Sequence, residues 1–592
     1  MKHILSGNEA VARGAYEAGV SFASAYPGTP STEILEEISA KYKDICSEWA
    51  PNEKVAMEAA IGASFMGGRS MAAMKMVGVN VAADPLFTFA YTGVNGGMVF
   101  ISADDPGLHS SQNEQDNRYY ARAARIAMLE PSDSQEAKDM MVEGFRISEE
   151  FDVPVMLRMT TRVCHSKSLV EFGEVQPQEK KPFVRDLTKY NPVPAMAKLM
   201  HASLEKRMAR LQAFTEETPL NRMEMHDTAI GVITSGVAYT YAREVFGDSA
   251  SYLKLGFTSH LPEKLIREFA SKVDKLYVIE ELEPYLEEHV RMLGIACTGK
   301  ALIPREGELN PDIIRRALLG EEPELIEYDK SVLAPRPPTF CAGCPHAGFF
   351  YELGKLKDVI LVGDIGCYAL SGNPPLNAKD IALCMGAGFS VPHGGQKVID
   401  KFGGKERIIG VMGDSTFFHT GMNSLLEAAY NRSRIIMCIV DNRTTGMTGH
   451  QENPGSGYVL GGGKANDISI PEIVKALGIS FIRTVDPMDL AAVRTALKEA
   501  MAYDGPAVIV TRYPCALKKY SPEDLAEFGR NTVPYTVDTE KCIGCKSCMK
   551  LGCPAIRFDG EKKLAQIDGN ACACCGVCAQ LCPKDAIGKE EK

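Results

Sequence analysis

Over the first 180 residues, short apolar runs alternate with longer stretches whose apolar positions recur at helical spacing. This is the pattern of a doubly wound α/β domain built on a parallel sheet. Residues 153–158 (Val-Pro-Val-Met-Leu-Arg) form one strand-like run. Across 52–68 the apolar residues Val55, Ala56, Ala59, Ala60 and Ala63 keep helical period, and 69–77 then reads as a buried strand. From 181 to 226 the strand signal gives way to charged, helix-prone sequence, clearest at 198–211, which reads as an excursion between domains. A second α/β domain follows at 227–330, with strands at 229–234 and 276–280. The stretch Ala334-Pro335-Arg336-Pro337-Pro338-Thr339 favours polyproline geometry and reads as a stiff linker. It opens a third α/β domain, 331–530, with strands at 359–362, 408–412, 435–440 and 507–511, and a small cysteine-rich module closes the chain at 531–592.

A chain of 592 residues accommodates these several domains. Acidic residues outnumber basic ones 76 to 65, a formal net charge of −11, so no global basic field exists to hold a nucleic acid or an anionic membrane. No run of 18 apolar residues occurs, and Met1-Lys2-His3-Ile4-Leu5 runs into Ser6-Gly7-Asn8-Glu9 without a signal-type apolar core. The expectation is a cytoplasmic protein. Of 18 cysteines, nine fall between Cys542 and Cys582 at metal-ligand spacing, so cysteine here points to iron chemistry in a reducing compartment rather than to disulfides.

Cys572, Cys575, Cys578 and Cys582-Pro583 spell C-x2-C-x2-C-x3-C-P, and Cys542, Cys545, Cys548 and Cys553-Pro554 nearly repeat it with one extra residue before the last cysteine. The runs resemble those of two-cluster ferredoxins, in which the fourth cysteine of each run crosses to the other cluster. That resemblance implies one [4Fe-4S] cluster on Cys542, Cys545, Cys548 and Cys582 and another on Cys572, Cys575, Cys578 and Cys553. A pair of zinc sites is the rival reading, since zinc also takes thiolates. Cys574, between two ligands, reads as a spectator.

Gly413-Asp414-Ser415 follows one strand of the third domain, Asp441-Asn442 follows the next, and Gly446-Met447 lies just beyond. Together they resemble the G-D-G…N-N motif of thiamine diphosphate enzymes, with Ser415 and Asp441 as departures; a generic turn after a parallel strand is the alternative. A diphosphate needs Mg2+, and Mg2+ wants a few hard oxygens beside the phosphate oxygens. The motif implies Asp414 and Asn442 as side-chain ligands, the Thr444 carbonyl as a third, and Gly413 where the chain approaches the phosphates closely. Such enzymes also need a carboxylate to hydrogen-bond the aminopyrimidine ring. Glu53, in the setting E-x2-A-x3-A-x-G-A, is the candidate. Glu58 is the rival, but five helical positions turn about 500°, so one helix does not aim both alike. A solvated surface glutamate remains the plainer alternative.

Tyr26-Pro27-Gly28-Thr29-Pro30-Ser31 resembles the Y-P-x-T-P-S loop of thiamine-dependent 2-oxoacid:ferredoxin oxidoreductases, whose threonine contacts the substrate carboxylate. Arg336-Pro337-Pro338-Thr339-Phe340-Cys341-Ala342-Gly343-Cys344-Pro345-His346 and Gly363-Asp364-Ile365-Gly366-Cys367 support the likeness, which covers nearly the whole chain. It implies a pyrimidine-binding domain, a transketolase C-terminal-like domain, a diphosphate-binding domain and the ferredoxin-like tail. It further implies Thr29 at the substrate and a proximal third cluster on Cys341, Cys344, Cys367 and Cys515, against the alternative of buried free cysteines. The domain order is similar to members acting on arylpyruvates. The implied reaction is oxidative decarboxylation of an arylpyruvate to an aryl-acetyl-coenzyme A and CO2, with ferredoxin as electron acceptor. A smaller β subunit should carry the missing γ-type domain and coenzyme A site, in a dimer of heterodimers. A non-oxidative thiamine decarboxylase, an electron-transfer subunit with a dead thiamine site, and an oxidoreductase for pyruvate or branched 2-oxoacids stay open, as does the aryl group.

Overall fold

The computed structural model describes residues 2–324, 326–334 and 337–589. The chain forms two compact units, Met1–Tyr328 and Asp329–Lys592. Of the proline linker read at 334–339, Pro335 and Arg336 lie outside the described residues. No described helix is long and apolar enough to cross a membrane.

In the first unit six parallel strands lie in the order Cys46–Trp49, Phe22–Ala25, Ser70–Lys75, Met98–Asp104, Val155–Thr160, Ala127–Leu129. From Phe22–Ala25 the chain builds toward one edge, and from Ser70–Lys75 toward the other, so strand order reverses between these two. In open parallel sheets ligands bind in the crevice beyond the carboxyl ends at such a reversal. The strand read at 69–77 stops at Lys75, and Met76 and Val77 begin the helix Met76–Val81. The apolar run crosses that boundary because both elements are buried there, and period alone does not separate a short buried strand from a short buried helix.

The helix Glu53–Phe65 starts where Asn52 Oδ1 accepts the Val55 N–H at 2.9 Å, an N-cap that puts Glu53 in the first turn, where a negative charge suits the helix dipole. The excursion contains the 22-residue helix Pro194–Thr215 and then, against expectation, the strand Asn221–Glu224. That strand pairs antiparallel at the edge of a second sheet, beside Ser251–Leu255, Ile230–Ser235 and Lys275–Ile279. As an edge strand with only Asn221 fully buried, it needs no apolar alternation and gives no sequence signal.

Buried ion pairs tie the two sheets. Arg118, 1% exposed, bonds Asp116 and Glu280 at 2.6 Å each, and Arg158 bonds Asp104 at 2.9 Å and Glu130 at 2.6 Å. Arg118→Ala leaves two buried carboxylates short of their cation and should destabilise this unit by about 3–5 kcal/mol. Urea denaturation checks this; a loss below about 1 kcal/mol would assign the network no structural weight.

In the second unit the strands Val359–Val362, Arg407–Gly413, Ile436–Asp441, Ala507–Arg512 and Phe481–Val485 lie side by side in that order, all parallel. Phe481–Val485 escapes the sequence reading because Arg483 and Thr484 face solvent at the edge. The tail adds two antiparallel pairs, Tyr535–Val537 with Ile587–Lys589 and Ile556–Asp559 with Leu564–Ile567. Its Cys548, Leu551, Val577 and Ile587 share one apolar core with Phe349, Leu361 and Ile409, so the tail is packed on this sheet rather than tethered to it.

Candidate functional site

Parallel strands aim every following loop at the same edge. In the second unit that edge gathers the turns after Val359–Val362, Arg407–Gly413, Ile436–Asp441 and Ala507–Arg512, and these carry Asp364 and Cys367, Asp414, Asn442 and Thr444, and Cys515. Asp414 is 2% exposed and starts a helical run that passes through a π turn at Phe417–Gly421 into Met422–Tyr430. π turns recur at functional sites, and the free N–H groups of a helix start suit phosphate.

Asp414 Oδ2 accepts the Thr444 N–H (3.2 Å) and Asn453 Nδ2 (2.9 Å), and the Thr444 N–H also lies 3.3 Å from Asn442 Oδ1. Burial, with Asp441 nearby as a second cause, holds the Asp414 carboxyl well above the usual carboxylate range. Among the described residues no cation lies within ion-pair distance of Asp414. A buried carboxylate with hard oxygens beside it and no protein counter-ion fits Mg2+. Ser415 is buried and accepts the Thr445 hydroxyl at 3.0 Å, whereas Met447 is 54% exposed. A Cβ at Gly413 would stand 2.8 Å from the Tyr368 ring, so this position has no room for a side chain.

The same loops bring in cysteines. Cys515 donates its N–H to the Asn442 carbonyl at 3.0 Å. A Cβ at Gly446 would stand 3.3 Å from Asn442 Nδ2 and 3.9 Å from Cys367 Sγ. Burial foremost pushes the Cys344 thiol up, and Cys515, Cys341 and Cys367 lie near enough to add to that shift. Gly343, with φ of +72°, abuts the tail: a Cβ there would lie 2.4 Å from that of Ala573.

In the tail, Cys542, Cys545, Cys548 and Cys582 line a single cavity walled by Val537, Ala565 and Ile587. Burial pushes Cys578 up to about 12, and its neighbouring charges include Cys575, Cys553 and Cys572. One predicted set thus lines one cavity, and the other has Cys553, Cys572 and Cys575 as neighbours of Cys578. No three His, Cys, Asp or Glu side chains among the described residues converge as they would around one metal ion. The Ala586 N–H lies 3.2 Å from Cys582 Sγ and the Cys574 N–H 3.4 Å from Cys572 Sγ, contacts of the kind that tune cluster potentials.

In the first unit Thr29 lies in the loop after Phe22–Ala25, at the strand-order reversal, and its carbonyl is 3.2 Å from Ser110 Oγ. Glu53 is 5% exposed, and a Cβ at Gly78 would sit 2.7 Å from its Oε1. Glu58 instead faces solvent, with its side chain 47% exposed, and pairs with Lys54 at 2.8 Å.

Sequence reasoning misses several neighbours. His346 Nε2 lies 3.5 Å from Asn442 Nδ2, and burial lowers its pKa to about 4, so it is neutral. Asp364, fully buried, accepts the N–H groups of Gly386 (3.0 Å) and Gly388 (2.7 Å) and so anchors the loop carrying Cys367; burial raises it to about 6. Asp364 was visible inside a family phrase but without a role; Asn453 carries no signal at all.

Residues 13–235 match the family described as "Pyruvate flavodoxin/ferredoxin oxidoreductase, thiamine diP-bdg", and 364–511 match "Thiamine pyrophosphate enzyme, C-terminal TPP binding domain". Fold and loops therefore define an oxidoreductase of 2-oxoacids that depends on thiamine diphosphate. The chain is 41% identical over 619 residues to indolepyruvate oxidoreductase subunit IorA of Archaeoglobus fulgidus, covering 99% of this chain and 97% of that one. It is 41% identical to the protein of that name from Methanothermobacter thermautotrophicus (100% and 98% covered) and 39% identical to that from Pyrococcus horikoshii (99% and 97%). The chain belongs to the IorA family of thiamine diphosphate-dependent 2-oxoacid:ferredoxin oxidoreductases.

Proposed function

We propose that this chain is the large subunit of an enzyme that oxidatively decarboxylates arylpyruvates, indolepyruvate among them, to the aryl-acetyl-coenzyme A and CO2, passing electrons singly to ferredoxin. The names of its relatives support the substrate class. The observation that carries the oxidative reading is the intimacy of the diphosphate-type loop with cysteine: Cys515 is bonded through its backbone to Asn442, and Cys367 lies beside Gly446. A non-oxidative decarboxylase has no use for that arrangement.

In this reading Asp414, Asn442 and the Thr444 carbonyl hold Mg2+. Gly413, Ser415 and the helix start receive the diphosphate, Gly446 and Met447 flank the cofactor, and Glu53 hydrogen-bonds the aminopyrimidine. Thiamine diphosphate, when bound, supplies the carbanion stabilisation. Thr29 contacts the substrate. Cys341, Cys344, Cys367 and Cys515 would hold a proximal [4Fe-4S] cluster, Cys553, Cys572, Cys575 and Cys578 a second and Cys542, Cys545, Cys548 and Cys582 a third, which would supply one-electron acceptors, and Gly343 packs beside Ala573 of the tail. The relatives are named as subunits, which supports a smaller β partner that handles coenzyme A, in a dimer of heterodimers.

Three cubanes hold about twelve irons and two hold about eight. Anaerobic iron analysis should give the larger figure, and Cys341→Ser should remove about four irons while the tail's EPR signals persist. A wild-type count near eight that the substitution leaves unchanged would remove the proximal cluster from the path.

A further inference from the structure

Lys75 ends the strand Ser70–Lys75 at the crevice where strand order reverses, and it is only 9% exposed. Its Nζ donates to the carbonyl oxygen (2.5 Å) and hydroxyl (3.2 Å) of Ser110, both neutral acceptors. Among the described residues no carboxylate lies within ion-pair distance of it. The nearby acid, Asp105, is already engaged by the Ser110 N–H (2.8 Å), the Ser111 hydroxyl (2.6 Å) and the Thr161 hydroxyl (2.7 Å). Burial lowers the lysine to about 8 against the pull of Asp105, so it still carries its proton at neutral pH.

Burying a cation without a counter-ion is costly, so protein cations of this kind are normally paired. What surrounds Lys75 indicates which anion completes it. The Ser110 hydroxyl that it bonds lies 3.2 Å from the Thr29 carbonyl. Gly28 lies against its stem, where a Cβ would come within 3.0 Å of Lys75 Cβ. Three residues further on, Gly78 abuts the Glu53 carboxylate. We propose that Lys75 is a substrate-binding residue whose ammonium pairs with the carboxylate of the 2-oxoacid, beside the Thr29 loop. This rests on the functional reading above. It gives the site a reason to prefer 2-oxoacids to neutral ketones and aldehydes, because only a carboxylate neutralises the buried charge.

The test uses the complete enzyme with its partner subunit and two unreactive probes of equal shape, 3-phenylpropionate and 3-phenylpropionamide. A charge-assisted hydrogen bond should make the acid bind roughly 10- to 100-fold more tightly than the amide in the wild type. In Lys75→Met that preference should fall to about one, and KM for the 2-oxoacid should rise by a similar factor. Thiamine diphosphate affinity should not change, and the ligand-free melting temperature should hold or rise, since an unpaired buried charge has gone. Lys75→Arg should recover part of the acid preference. A wild type that binds neither probe and oxidises no 2-oxoacid overturns the functional reading and this inference with it. A Lys75→Met variant that keeps the wild-type acid preference overturns the role of the lysine alone.

Discussion

Asp414→Ala should lower 2-oxoacid oxidation by more than about 100-fold, because it removes a proposed Mg2+ ligand, and even outer partners of a metal site matter that much. The protein should otherwise remain intact. Asp414 is buried with its carboxyl held above the usual range, and among the described residues no cation pairs with it, so its loss removes a buried group without a counter-ion. Wild type should gain about 3–4 kcal/mol of stability when Mg2+ and thiamine diphosphate are present at some 100 to 1,000 times their dissociation constant. The variant should gain none, while its cluster EPR signals stay at wild-type strength. Thermal melts with and without cofactor check this; a variant that is still stabilised by the cofactor would move the metal site elsewhere.

Glu53→Gln should behave differently: cofactor binding survives and turnover falls by about 10²- to 10⁴-fold, the usual worth of a positioned acid–base group. An amide fills the same space but does not stabilise the charge that a carboxylate does. Glu58→Gln is the control. Its side chain is half exposed and paired with Lys54, so turnover should stay near wild type. Exchange of the thiazolium C2 proton reports the step without dependence on electron transfer, and normal exchange in Glu53→Gln would give the role to another carboxylate.

Much of this is legible in the sequence wherever the chemistry demands several residue types at fixed spacing. The two cysteine runs, the Gly413–Asp414 and Asn442 turns and the Tyr26–Ser31 loop each carry such a signature, and parallel topology then brings the turns to one edge. The choice of Glu53 over Glu58 rests on the resemblance of its setting, helical rotation saying only that the two do not point alike, and burial separates them. Lys75 is not legible. A lysine at the end of an apolar run looks like a strand terminus meeting solvent, and only the strand order reveals that it ends in a crevice. Asn453 and Gly78 are equally silent, since their meaning lies in contacts to Asp414 and Glu53 made across the fold. The edge strands Asn221–Glu224 and Phe481–Val485 are missed for a related reason: half-exposed strands need no apolar pattern.

In the proposed function, oxidation of a 2-oxoacid and the first acceptors of its electrons reside in this one chain. A single turnover tests it most directly. The thiamine diphosphate-loaded complex is mixed anaerobically with stoichiometric arylpyruvate and coenzyme A, without ferredoxin, and iron–sulfur absorbance and EPR are followed together with CO2 release. The chain's own clusters should become reduced as CO2 appears, and stay oxidised when thiamine diphosphate is omitted. Release of CO2 and an aldehyde with every cluster still oxidised would contradict the proposed function and leave a non-oxidative decarboxylase.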